Sequence, residues 1–191
     1  MLMTKRVALT TGGLLAAVAA VVGAAAAGHA SDRPQNHPSG SASHALPIPP
    51  QLQVPDGNQR IATLDARGVQ TYTCASGAWT LLEPAATLWN RHDPRHRPVA
   101  LHTRGPVWIS TRDGSAVNAS AVPGASVPRD HSVPELLLKA TATRGDGIFG
   151  AVSYVQRLNT AGGVAPSGTC TQGAQTSVPY SATYLFYAPA D

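Results

Sequence analysis

The chain is poor in charge, in aromatic rings and in cysteine. Charged residues make up 13% of its 191 positions, aromatics make up 5%, and there are two cysteines. Each scarcity excludes something. The acidic side chains are too dispersed to mark the pair of carboxylates that a glycosidase holds about 5–9 Å apart across a cleft. There is no C-x-x-C, and no histidine stands near Cys170, so the familiar zinc-ligand spacings are missing. Neither Ser110 nor Ser153 lies in a G-x-S-x-G elbow. Helical periodicity is scarce too: only "EPAATLWN" (83–90) reads as a helical turn, with Pro84 suited to its first position.

What is present begins at the N-terminus. Lys5 and Arg6 precede Val7 to Ala27, an uncharged run of mostly Ala, Val, Leu and Gly that ends in small residues. That is the layout of a secretory signal over residues 1–30, with cleavage expected near Ala30 and Ala27 as the other position. The product is then secreted or extracellular, with no stable membrane span. The competing reading is an uncleaved anchor, since about 20 apolar residues reach across a bilayer. Ala and Gly in place of Leu favour cleavage.

Residues 31–50 are rich in Pro, Ser, His and Gly, and lack the apolar bulk that offsets ordering entropy. They read as a flexible spacer, in which His37 and His44 carry no assigned role. Residues 51–191 suit one domain with one core. Without Lys5 and Arg6 the formal charge falls from +4 to +2. That is too small to argue for a nucleic-acid partner. Two cysteines in an exported chain suggest a Cys74–Cys170 disulfide, with free thiols or a metal pair as the alternatives.

Within the domain the apolar residues alternate with period two. Val178, Tyr180, Ala182, Tyr184 and Phe186 share a face, as do Tyr72 and Cys74. Val99, Leu101 and Thr103 oppose Ala100, His102 and Arg104, and Val107 and Ile109 oppose Trp108 and Ser110. Alternation with β-branched and aromatic residues predicts half-buried strands. Asp56-Gly57, Arg67-Gly68, Ser76-Gly77, Asp113-Gly114 and Asp146-Gly147 read as turns. "STRDGSAV" predicts a hairpin from 106–111 to 115–122, and a second hairpin joins 134–143 to 148–158. The expected fold is all-β, a mainly antiparallel barrel or sandwich of about nine short strands with one disulfide.

"GDGIFG" (145–150) matches G-x-G-x-x-G. A dinucleotide loop needs a helix after it and an acidic residue about 20 positions on. Here "AVSYVQRLNT" follows, and the next acidic residue after Asp146 is Asp191. No cofactor is therefore expected, and Gly147 is assigned to a positive-φ turn position.

His92, Asp93, His96 and His102 would make a metal site only if folded together, and the prolines at 94 and 98 spoil a helix that would align them. No metal is assigned. Asp65 and Asp113 read as turn residues. The candidate ligand-binding residues are His102, Trp108, Tyr154 and Arg157. Arg157 shares a strand face with Val155, so burial of Val155 would turn Arg157 inward, where it needs a partner.

"VPDGNQRIATLDARGVQTYTC", "HTRGPVWISTRDGSAV", "PELLLKATA", "GIFGAVSYVQRLNTAGGVAPSGTC" and "VPYSATYLFY" follow one another in this order. In that order they resemble the secreted domain-of-unknown-function-3455 family of bacteria and fungi, over roughly residues 50 to 189. His102, Gly105, Pro106, Trp108, Asp113, Gly114, Gln156, Arg157, Thr160, Gly162, Gly163, Pro166 and both cysteines stand in those motifs. The resemblance implies an exported protein and carries no catalytic residue over. Some members bear a malate-dehydrogenase label, for which this chain offers no nucleotide-binding context.

The reading favours a non-enzymatic secreted or cell-surface β-domain over an enzyme. A cell-envelope component, a glycan or a small ligand is its partner. The alternative is an extracellular hydrolase with a pocket around His102 and Arg157, joined by Asp113. A third reading is a structural coat protein with no deep pocket.

Overall fold

The computed structural model describes residues 46–191. The expected leader, the spacer as far as residue 45, and His37 and His44 lie outside the described residues. The described chain is a meander of eight antiparallel strands whose single sheet closes into a barrel. In chain order these are β1 (Asn58–Ala75), β2 (Ala78–Asn90), β3 (Pro98–Thr103), β4 (Val107–Ser110), β5 (Ala116–Arg129), β6 (Ser132–Arg144), β7 (Tyr154–Gly162) and β8 (Gln175–Pro189). Each strand pairs with its successor, and β1 pairs with β8 to complete the ring.

Period-two alternation decides which side chains face inward. The interior takes Leu64 and Ala66 of β1, Ala86 and Leu88 of β2, Ala100 of β3, Trp108 of β4, Val117 and Ala119 of β5, Leu138 of β6, Val155 of β7, and Tyr180, Ala182, Tyr184 and Phe186 of β8. Several of these positions are alanine. The small side chains leave room for Trp108, Tyr184 and Phe186, as expected where a narrow barrel fills its own interior. Three of the few aromatics are thus stacked edge to face in one place, with Trp108 5.3 Å from Tyr184 and 5.9 Å from Phe186.

The strands are fewer and longer than expected. Arg67-Gly68 is no turn but the middle of β1, which runs unbroken through it. Gly68 faces Ala86, and a side chain there would collide with the Ala85 carbonyl and with Ala86 itself, so the glycine serves close strand approach. The helical turn expected at 83–90 is also replaced, by the second half of β2. Pro84 pairs opposite Gln70 beside a bulge at Thr71/Tyr72, where its missing N–H is tolerated. Asp65 is likewise a strand residue: its Oδ1 accepts hydrogen bonds from Thr183 Oγ1 at 2.7 Å and from Arg91 Nη1 at 3.1 Å.

The two barrel ends are finished differently. At one end the β6–β7 loop, which contains "GDGIFG", folds Phe149 into the barrel against Phe186, with ring centroids 4.7 Å apart. Asp113 fastens this plug. Its Oδ1 accepts from Ser115 N and Oγ at 2.9 and 2.6 Å, its Oδ2 accepts from Ile148 N at 3.2 Å, and Ser115 Oγ accepts from Phe149 N at 3.0 Å. The expectation for Gly147 is corrected here. Positive φ falls on Gly145, whereas a side chain at Gly147 would run into the Asp113 carboxylate.

At the opposite end the β7–β8 loop returns to β1. Cys74 and Cys170 form the disulfide, with Cα atoms 5.8 Å apart and a sequence separation of 96. Cys74 N donates to Ala174 O at 2.8 Å, and the Tyr72 hydroxyl donates to Gly163 O at 2.6 Å, so loop and strand are joined on both sides of the bond.

A second apolar cluster lies on the outer wall, around Leu137, Leu158 and Leu185. Leu46, Ile48, Val54 and the 3-10 turn Pro50–Leu52 pack onto it. Gln156 Nε2 donates to Leu52 O at 2.6 Å and Gln156 Oε1 accepts from the Tyr187 hydroxyl at 2.7 Å. The described part of the expected spacer, residues 46–50, therefore belongs to the folded unit, because it carries two apolar side chains that cover this cluster.

Candidate functional site

The barrel end opposite Phe149 holds a cavity of about 460 Å³. The start of β2 (Leu82, Pro84), the β3–β4 turn (Pro106) and the inward faces of β6 and β8 (Leu136, Leu138, Tyr184) make it mostly apolar. Three of the four residues nominated from sequence line it: His102, Trp108 and Arg157. Tyr154 does not. Adjacent strand residues point to opposite faces, so with Val155 inside, Tyr154 lies outside, packed on the outer cluster. Asp113 belongs to the plugged end, beside a smaller cavity of about 280 Å³. His92, Asp93 and His96 are in the β2–β3 turn, where Asp93 binds Arg97 at 2.8 Å and His96 stacks on Trp89 at 5.0 Å. The sequence reading missed Gln70 and Tyr184. Gln70 shares its strand face with Tyr72, which is the only sign of it before the ring is closed.

His102 is buried and stacks flat on Trp108, with ring centroids 4.3 Å apart and planes 4° from parallel. Its Nδ1 lies 3.0 Å from Val107 O. A carbonyl can only accept, so Nδ1 carries the proton and Nε2 the lone pair. Burial above all lowers the His102 pKa to about 4; the Val107 bond opposes this and the Arg157 charge reinforces it. At neutral pH the ring is uncharged. Burial likewise raises the pKa of Tyr72, Tyr180 and Tyr184, and in each the Arg157 charge pulls the other way. Arg157 is thus a charge felt in common by His102 and by these three tyrosines.

Its partner is modest. Arg157 Nε and Nη2 donate to Pro134 O at 3.0 and 2.9 Å, and among the described residues no carboxylate pairs with it. Among the described residues the one carboxylate on the cavity wall is Glu83, which accepts from Arg104 Nε at 3.2 Å at the rim. Two further donors, Gln70 Nε2 and Trp108 Nε1, are buried with no hydrogen-bond partner among the described residues. The wall therefore offers, among the described residues, one cation without a carboxylate and a neutral imidazole in an apolar setting, with the two unmatched N–H donors buried behind it. Among the described residues no serine, threonine or cysteine lines it. The constellation suits holding a polar head group on an apolar body better than it suits nucleophilic chemistry, which needs a nucleophile within reach of its base.

Fold and site together define a closed antiparallel β-barrel with one plugged end and one hollow, polar-studded end. Residues 55–188 match the family described as "Protein of unknown function (DUF3455)", and the chain belongs to that family. No curated protein and no solved structure matches it.

Proposed function

We propose that this protein is a non-enzymatic binding protein that takes a small organic ligand into the open end of its barrel. One observation carries the reading: an apolar cavity of about 460 Å³ is lined by Arg157, which has a carbonyl but no carboxylate partner among the described residues, and by Gln70 and Trp108, whose buried N–H donors have no partner there. Buried donors are normally satisfied, and cavities of this size, apolar with a few convergent polar groups, are typical ligand sites, including those in barrel mouths. A cavity ringed by strands favours a small molecule, or the end of a chain, over the flank of a polymer. The secretory layout of residues 1–30 and the disulfide support action outside the cytoplasm. No helix among the described residues is long and apolar enough to cross a membrane.

Ala121 lines the cavity from an exposed position. Ala121→Trp is expected to block ligand uptake while leaving the fold intact. Thermal-shift and native mass-spectrometry screens of the oxidised protein against small amphipathic molecules provide the check. Failure of every compound to raise the melting temperature, in the unmodified protein and in Ala121→Trp alike, would defeat the reading.

A further inference from the structure

We propose that the ligand is an amphipathic monocarboxylate whose head group docks on Arg157; this rests on the binding reading above. The guanidinium has five N–H donors in a planar fork. Pro134 O occupies the edge formed by Nε and one Nη2 hydrogen. The outer edge, the remaining Nη2 hydrogen and the Nη1 pair, carries no carboxylate among the described residues and has the Tyr184 hydroxyl as a weak neighbour; such an edge engages a carboxylate through two parallel bonds.

The surroundings restrict the charge of the partner. His102, on the same wall, is held neutral by its burial between Trp108 and Tyr184. Arg104 at the rim is matched by Glu83. Among the described residues Arg157 is then the one cation of the cavity without a carboxylate, which suits one negative charge and disfavours a dianion. A half-buried cation backed only by a carbonyl gains most from a partner that is charged and excludes water. The rest of the wall specifies the body of the molecule. Leu136, Leu138 and Pro84 give aliphatic surface, and Tyr184 backs the wall with an aromatic ring.

The test uses the full oxidised protein and two matched pairs of probes, 3-phenylpropanoate with 3-phenylpropanol and octanoate with octanol, followed by calorimetry and tryptophan fluorescence. The acids are expected to bind at least about tenfold more tightly than the alcohols, the value of one charge-assisted hydrogen bond. Arg157→Gln is expected to erase that preference and Arg157→Lys to keep part of it, because lysine retains the charge without the fork. The acid–alcohol comparison needs no variant, so it stands even if Arg157→Gln fails to fold. Equal binding of acids and alcohols overturns the carboxylate assignment and leaves the binding reading intact. Displacement of the acids by millimolar inorganic phosphate would reassign the site to phosphate. Absence of binding by all four probes counts against the binding reading itself.

Discussion

His102 is a basic side chain kept without its proton, and that has a signed consequence. Its folded pKa, about 4, lies below the unfolded value near 6.5. Between those values the unfolded chain holds a proton that the folded barrel does not. Stability from this group is therefore complete above about pH 6.5 and declines as pH falls toward 4, by on the order of 3 kcal/mol. His102→Gln is expected to flatten that slope, which urea midpoints from pH 7 to pH 4.5 will measure. Asp113 acts in a separate window. Bonds from Ser115, chiefly the side chain, lower its pKa to about 2, so its contribution persists down to about pH 4 and is lost only below. Period-two alternation made much of this residue-level picture legible. It placed His102 beside Ala100 and Arg157 beside Val155, and both pairs turned inward. The same rule, applied to Tyr154, puts it on the outer wall. Gln70 and Tyr184 were hidden because a strand pattern says which residues share a face and not which face is inside.

At the scale of elements, turns with a glycine at positive φ were readable. Asp113-Gly114 and Ser76-Gly77 both mark strand ends, with Gly114 at φ 73° and Gly77 at φ 77°. Glycines and prolines that serve strand contact were not, since Gly68 and Pro84 gain their meaning only from the partner strand across the ladder. The loop "GDGIFG" shows the same limit. Its glycines fit a cofactor pattern, yet their local use is to let the Asp113 carboxylate and the Gly145 carbonyl approach closely while Phe149 enters the barrel. Phe149 is fully buried. Phe149→Ala is expected to cost about 3–5 kcal/mol by lost transfer and the cavity left behind, measured by urea unfolding. Probe binding at the opposite end should persist in conditions where the variant is folded.

For the whole molecule, ring closure sets the behaviour. Every strand has two neighbours, but β3 and β4 are short, so Ala78–Ala85 of β2 pair only with β1 and Ser120–Arg129 of β5 only with β6, and the ring keeps two strand edges open on that side. The disulfide ties β1 to the β7–β8 loop across a separation of 96 residues. In the chain-entropy picture a loop of that size contributes roughly 4–5 kcal/mol. The double variant Cys74→Ser/Cys170→Ser is expected to lose up to that amount, read as a fall in urea midpoint, and to loosen the 163–174 loop in hydrogen exchange. The pairing of β1 with β8 is also the contact most distant along the chain, and such contacts form slowly because a long loop must close before they reward it. In the folded barrel that same pairing brings the β7–β8 loop, and Cys170 with it, beside Cys74. Oxidation then works as a clasp: once it is made, the first and last strands stay within reach of each other even when their ladder opens.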